Sequence, residues 1–248
     1  MGIVEETQVM EHEAFLPTTT IKGSKVINVS EEHLGMLEEM MIDSEKGKIA
    51  YAVLSFGGFL GIGNKLFAIP WEVLELNRGE YILRIDKSVL EKMEGFDKEE
   101  WSLTHDELAK VYAHFGIQPY WETNMGIVEE TQDMELGDFL PTTTIKGSKV
   151  INVNKEHLGK IEEVMIDVNM GRIAYAVLSF GGFLGIGNKL FPIPWEALEP
   201  KRYDYILKID KSVLEKAEGF DKEEWSLTHD ELAKVYAHFG IQPYWEKT

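Results

Sequence analysis

The 248-residue chain contains no cysteine. Disulfides, thiolate nucleophiles, iron–sulfur clusters and thiolate zinc sites are therefore excluded. Long apolar runs are also missing, and none approaches the roughly 20 residues that a membrane-spanning helix needs. Positive charge is scarce: 25 Lys and Arg stand against 43 Asp and Glu, a formal net charge of -18. Such a surface repels phosphate backbones and anionic headgroups over roughly 8 Å at physiological salt. Neither nucleic-acid binding nor direct membrane insertion is expected. The opening MGIVEETQVMEHE is acidic and lacks the basic-then-apolar order of a secretory signal, so the expected location is cytoplasmic.

What the sequence does have is a repeat. MGIVEETQ begins at Met1 and again at Met125, FLPTTTIKGSKVINV at Phe15 and Phe139, and GFDKEEWSLTHDELAKVYAHFGIQPYWE at Gly95 and Gly219. The offset is constant and about 80 per cent of positions match, which is the signature of a duplicated domain and not of a short solenoid unit. Two domains are expected, over residues 1–124 and 125–248. The mismatches are more informative than the matches. Ser44-Glu45-Lys46 becomes Val168-Asn169-Met170, and Gly79-Glu80 becomes Tyr203-Asp204, both at expected turns. Ala68 becomes Pro192 inside a strand-like run, so that backbone N–H should point away from any strand partner.

Within one copy, Lys25 to Val29 and Glu38 to Asp43 read as strands, with a hairpin turn closing at Gly47. The run IAYAVLSF over Ile49 to Phe56 reads as a well-buried strand. Gly57 to Asn64 reads as a loop, followed by strands at Lys65 to Trp71 and Tyr81 to Ile85. Thr104 and Glu107 form a capping-box pattern. Leu108, Val111, Tyr112 and Phe115 follow at helical spacing, and Gly116 supplies the stop. The fold class is mainly β: two tandem small β-barrels, each followed by a C-terminal amphipathic helix. The helix, Trp101 and the Pro119-Tyr120-Trp121 tail should cover an open barrel end or side.

No constellation points to chemistry. Gly57-Gly58-Phe59-Leu60-Gly61-Ile62-Gly63-Asn64-Lys65 lacks the Gly-Lys-Ser/Thr of a phosphate loop and the spacing of a dinucleotide fingerprint. His105 and His114 lie half a turn apart in phase on one helix and face opposite ways. The carboxylate pairs Glu38-Glu39, Glu99-Glu100 and Asp106-Glu107 read as solvated faces and helix N-terminal charges, because adjacent positions do not point together. Trp71, Trp101 and Trp121 read as core and lid. No catalytic residue, no metal ligand and no cofactor is expected.

The stretch from about Ser24 to Leu74, and above all GGFLGIGNKLFAIPW at Gly57 to Trp71, resembles the PRC-barrel family, named for the cytoplasmic domain of the photosynthetic reaction-centre H subunit. The resemblance recurs at Ser148 to Leu198. It implies a small β-barrel used as a docking module, hence a non-enzymatic protein-interaction adaptor or scaffold. An accessory subunit of a membrane complex and a small-molecule binding domain are the alternatives. The apolar loop residues Phe59, Leu60, Ile62, Phe183, Leu184 and Ile186 are the candidate interaction site, either meeting a protein partner or folding back to plug their own barrels. The two copies are expected to pack on each other as a pseudo-twofold pair, with those loops meeting at the interface.

Overall fold

A computed structural model describes residues 15–57, 65–93, 95–96, 102–122, 139–181, 189–201, 204–220 and 226–247. The first copy contains β1 (Phe15–Pro17), α1 (Thr18–Ile21), β2 (Lys25–Ile27), β3 (His33–Asp43), β4 (Lys48–Phe56), β5 (Lys65–Ile69), a 3-10 turn (Trp71–Val73), β6 (Leu74–Asn77), β7 (Glu80–Leu83), α2 (Lys87–Lys92) and α3 (His105–His114). The second repeats them as β8 (Phe139–Pro141), α4 (Thr142–Ile145), β9 (Lys149–Ile151), β10 (His157–Asp167), β11 (Arg172–Phe180), β12 (Lys189–Pro194), a 3-10 turn (Trp195–Ala197), β13 (Leu198–Lys201), β14 (Asp204–Leu207), α5 (Lys211–Lys216) and α6 (His229–His238). The strand expected from Glu38 begins five residues earlier, at His33. Gly35 permits this extension, since a Cβ there would lie 2.0 Å from the Ser55 carbonyl oxygen. The helices α1 and α2 are too short for an apolar period to show.

Each copy is a curled sheet in the order β6-β7-β2-β3-β4-β5, antiparallel except for the β2–β7 pair. A bulge in β3 between Leu37 and Glu39 resets the alternation of its side chains. Leu37, Met40 and Ile42 consequently face the barrel interior with Val26, Ala52, Leu54 and Ile69. Met41 faces outward with Tyr51, Val53 and Leu66. Strand β4 is therefore buried on both sides, as its apolar run requires. Leu108 and Tyr112 of α3, with Tyr120 and Trp121, cover the outer face, so helix and tail close a barrel side.

That outer cover is completed from the other copy. Strand β8 adds antiparallel to the C-terminal part of β3, pairing Phe139 with Asp43 and Pro141 with Met41. Reciprocally, β1 adds to β10, pairing Phe15 with Asp167. Phe139 packs edge-on against Tyr51, and Phe15 against Tyr175. The hairpin tips also bond across the pair, through Ile49 N–H to the Gly171 carbonyl at 2.9 Å and Ile173 N–H to the Gly47 carbonyl at 2.7 Å. The Trp71 indole N–H donates to the Val168 carbonyl at 2.9 Å, and that of Trp195 to the Ser44 carbonyl at 3.2 Å. Gly47 takes φ +66, and a Cβ on it would lie 2.4 Å from the Trp195 ring. The barrel interiors merge into one apolar core that contains both tryptophans.

The capping boxes are present. The Thr104 hydroxyl accepts from Glu107 N–H at 3.3 Å while the Glu107 carboxylate accepts from Thr104 N–H at 2.8 Å, and Thr228 and Glu231 repeat this. These bonds hold the Glu107 and Glu231 carboxyls below the ordinary range. Thr104→Ala and Thr228→Ala should each lower stability by about 0.5–2 kcal/mol in urea unfolding. An unchanged midpoint for both would mean that the helices do not depend on these caps.

Candidate functional site

Phe59, Leu60, Ile62, Phe183, Leu184 and Ile186 lie outside the described residues. The contacts between copies that are described come from elsewhere: the FLPTTT segments, the hairpin tips and the two tryptophans.

One expectation is corrected. Glu39 does not belong to a solvated face: it is 1% exposed, as is Glu163. The bulge that re-phases β3 turns Glu39 to the side crossed by the other copy. Its carboxylate accepts hydroxyls from Thr142 and from Thr143 (2.7 Å), the N–H of Met40 (3.0 Å) and the ammonium of Lys22 (3.1 Å). Glu163 likewise takes Thr18 (2.5 Å), Thr19 (2.9 Å), Val164 N–H (3.0 Å) and Lys146 (2.8 Å). Each carboxylate thus gathers two threonines from the opposite copy and a lysine from its own. A buried carboxylate with its lone pairs filled in this way is a structural clamp.

A second polar group lies under each helix. In the second copy the Tyr244 hydroxyl donates to Asp167 at 2.7 Å, and the Tyr236 hydroxyl shares its one proton between Glu196 at 2.8 Å and the Ala174 carbonyl at 3.1 Å. Arg172 pairs with Glu196 at 2.6 Å and stacks on the Tyr244 ring at 4.1 Å. Burial, then the neighbouring Asp167 and Glu196 charges, push both tyrosines far above their ordinary range. Burial likewise pushes Tyr51 and Tyr175 up to about 12. All four hydroxyls stay protonated: those of Tyr236 and Tyr244 donate to the carboxylates, while those of Tyr51 and Tyr175 accept from the N–H groups of Leu103 and Leu227 at 3.3 Å. Among the described residues no cluster of His, Asp or Glu could hold a metal ion, and no helix is long and apolar enough to cross a membrane.

Among the described residues, two open concavities form grooves, one per copy, between an edge strand and the capping helix. In the first copy, Phe67, Ala68, Lys110, Val111, His114 and Phe115 line about 640 Å3 between β5 and α3. In the second, the groove between β12, α5 and α6 has about 620 Å3, lined by residues that include Phe191, Ile193, Leu207, Leu214, Val235 and Phe239. The floor of each is the outer edge of a strand. The Leu66 carbonyl accepts from Phe96 N–H at 3.0 Å on that edge, so the backbone polar groups of Ala68, two residues on, face the same way. Pro192 occupies the matching place in β12, and its missing N–H removes no ladder bond to β11.

A family model for the PRC-barrel domain matches residues 15–90 and 137–214. The chain belongs to the PRC-barrel family. A search of curated proteins gave no match. The matched residues of each PRC barrel end inside α2 and α5, so α3 and α6 lie beyond them. Each groove is therefore walled by the PRC barrel on one side and by the appended helix on the other. No local signal marks either groove, because Lys110, Val111 and His114 carry the same pattern as any amphipathic helix and Ala68 differs from other strand residues only by its backbone direction.

Proposed function

We propose that this PRC-barrel protein is a non-enzymatic adaptor of the cytoplasm that docks an extended segment of a partner protein along the outer edge of β5. The observation that supports this reading is the β5 edge on the groove floor: past the Leu66–Phe96 bridge, no strand among the described residues pairs with Ala68, whose N–H and carbonyl face away from β4 beside Phe67 and Val111. An extended segment adds to such an edge by main-chain hydrogen bonds, and side-chain pockets supply its selectivity. The protein already uses this mode on itself, since β1 and β8 are three-residue strands added to β10 and β3 of the opposite copy. The second copy is closed to it: Pro192 stands on the β12 edge, and Pro200 stands in β13, the terminal strand of the sheet. The Ala68→Pro variant carries the residue that the second copy has at this place, so the barrel accommodates it. Affinity capture from native lysate should return a partner with the parent chain and lose it with Ala68→Pro. Equal capture by both would overturn the β5 route, and no specific capture by either would overturn the adaptor reading.

A further inference from the structure

We propose that the groove of the second copy is a binding site for a free amphiphilic carboxylic acid. The alkyl chain lies along Ile193, Leu207 and Leu214, and the carboxylate meets Lys234 and His238. This function is separate from strand docking on the first copy.

The argument begins with the differences between copies. Val73 becomes Ala197 and Met93 becomes Ala217, and both alanines line this groove, as does Pro192 in place of Ala68. Two of these three changes remove apolar volume from one wall. The groove of the second copy extends along Leu207, Ile209 and Leu214, whereas that of the first is lined at its other end by Phe96, Ser102 and Leu103. Its volume, about 620 Å3, falls in the range of small-molecule sites, roughly 300–1,000 Å3, and its walls are mainly apolar. Val213 at the rim is 42% exposed, an apolar side chain left partly open to water.

The charges decide the headgroup. Glu199 is paired with Lys208, and Glu196 is held by Arg172 and Tyr236. Lys234 and His238 stand one turn apart on α6, on the same helix face, and both line the groove. Lys234 feels the Glu231 carboxylate one turn earlier on α6, but that carboxylate is engaged by Thr228, and among the described residues neither Lys234 nor His238 has a carboxylate within 4 Å. An anionic head beside an apolar chain fits this arrangement, and a cationic head does not. Backbone addition, the mode proposed for the first copy, is blocked here by Pro192.

The test uses the full chain and dodecanoic acid, titrated by calorimetry below its micellar range. One saturable site per chain is expected. Ala197→Val with Ala217→Met gives this wall the residues of the first copy, which the fold already carries, and should weaken binding at least about tenfold. Lys234→Gln should weaken the acid about tenfold while leaving methyl dodecanoate unchanged. Ala68→Pro should leave dodecanoate binding as it was, so failure here and failure of the strand-docking reading are distinguishable. Absence of saturable binding, two equal sites per chain, equal binding by the refilled variant, or equal affinity for acid and ester would each overturn the proposal.

Discussion

Trp195→Ala should remove about 3–5 kcal/mol of stability, the range for truncating a buried tryptophan. Trp195 is 2% exposed and packs edge-on against Tyr205 at 5.2 Å. Its indole N–H holds the Ser44 carbonyl of the other copy, and its ring lies against Gly47 at the tip of the opposing hairpin. Truncation opens a cavity in the shared core and also strands that carbonyl, a penalty of about 1–3 kcal/mol if no water reaches it. A domain of ordinary stability has only about 5–15 kcal/mol in total, so the substitution takes a large share of the margin. Trp71→Ala should behave alike, through Val168. Trp195→Phe keeps most of the apolar volume and should fall between. Urea unfolding read by far-UV circular dichroism measures all three. A loss below about 1 kcal/mol for Trp195→Ala would mean that the tryptophan is not the keystone between the barrels.

Much of the barrel was readable because its signals are local. The run IAYAVLSF, the turn at Gly47 and the Thr104–Glu107 box each announce one element through neighbouring residues, and each element is where it was expected. What could not be read depends on residues far apart in the chain. Glu39 looks like any surface carboxylate until β3 bulges and a threonine segment about a hundred residues away crosses it. FLPTTT carries no strand period in three residues, so its pairing with the opposite copy was invisible. The near-identity of the copies also hides this exchange, because a segment that fits its own barrel fits the other equally well. The grooves were missed for a related reason, since they arise only when a helix beyond the PRC-barrel residues lies beside a strand edge.

The crossing of the FLPTTT segments makes an expectation that composition alone cannot mimic. Glu163→Ala should cost about 3 kcal/mol, the low end of the range for breaking a buried pair, because Lys146 is 29% exposed and regains water. Glu163→Gln keeps the shape and one acceptor oxygen, and should cost less. The decisive measurement is a double-mutant cycle. Thr18 belongs to the first copy and Glu163 to the second, yet the hydroxyl sits 2.5 Å from the carboxylate. Thr18→Ala and Glu163→Ala should therefore couple by about 0.5–3 kcal/mol, as contacting residues do. Thr18 and Glu39, which belong to the same copy but are not bonded to each other, should be additive within about 0.5 kcal/mol. If each segment instead folded back onto its own barrel, the pattern would invert: Thr18 would couple to Glu39, and the coupling to Glu163 would vanish. The cycle thus reads which barrel each threonine segment completes, from equilibrium unfolding and independently of any binding partner.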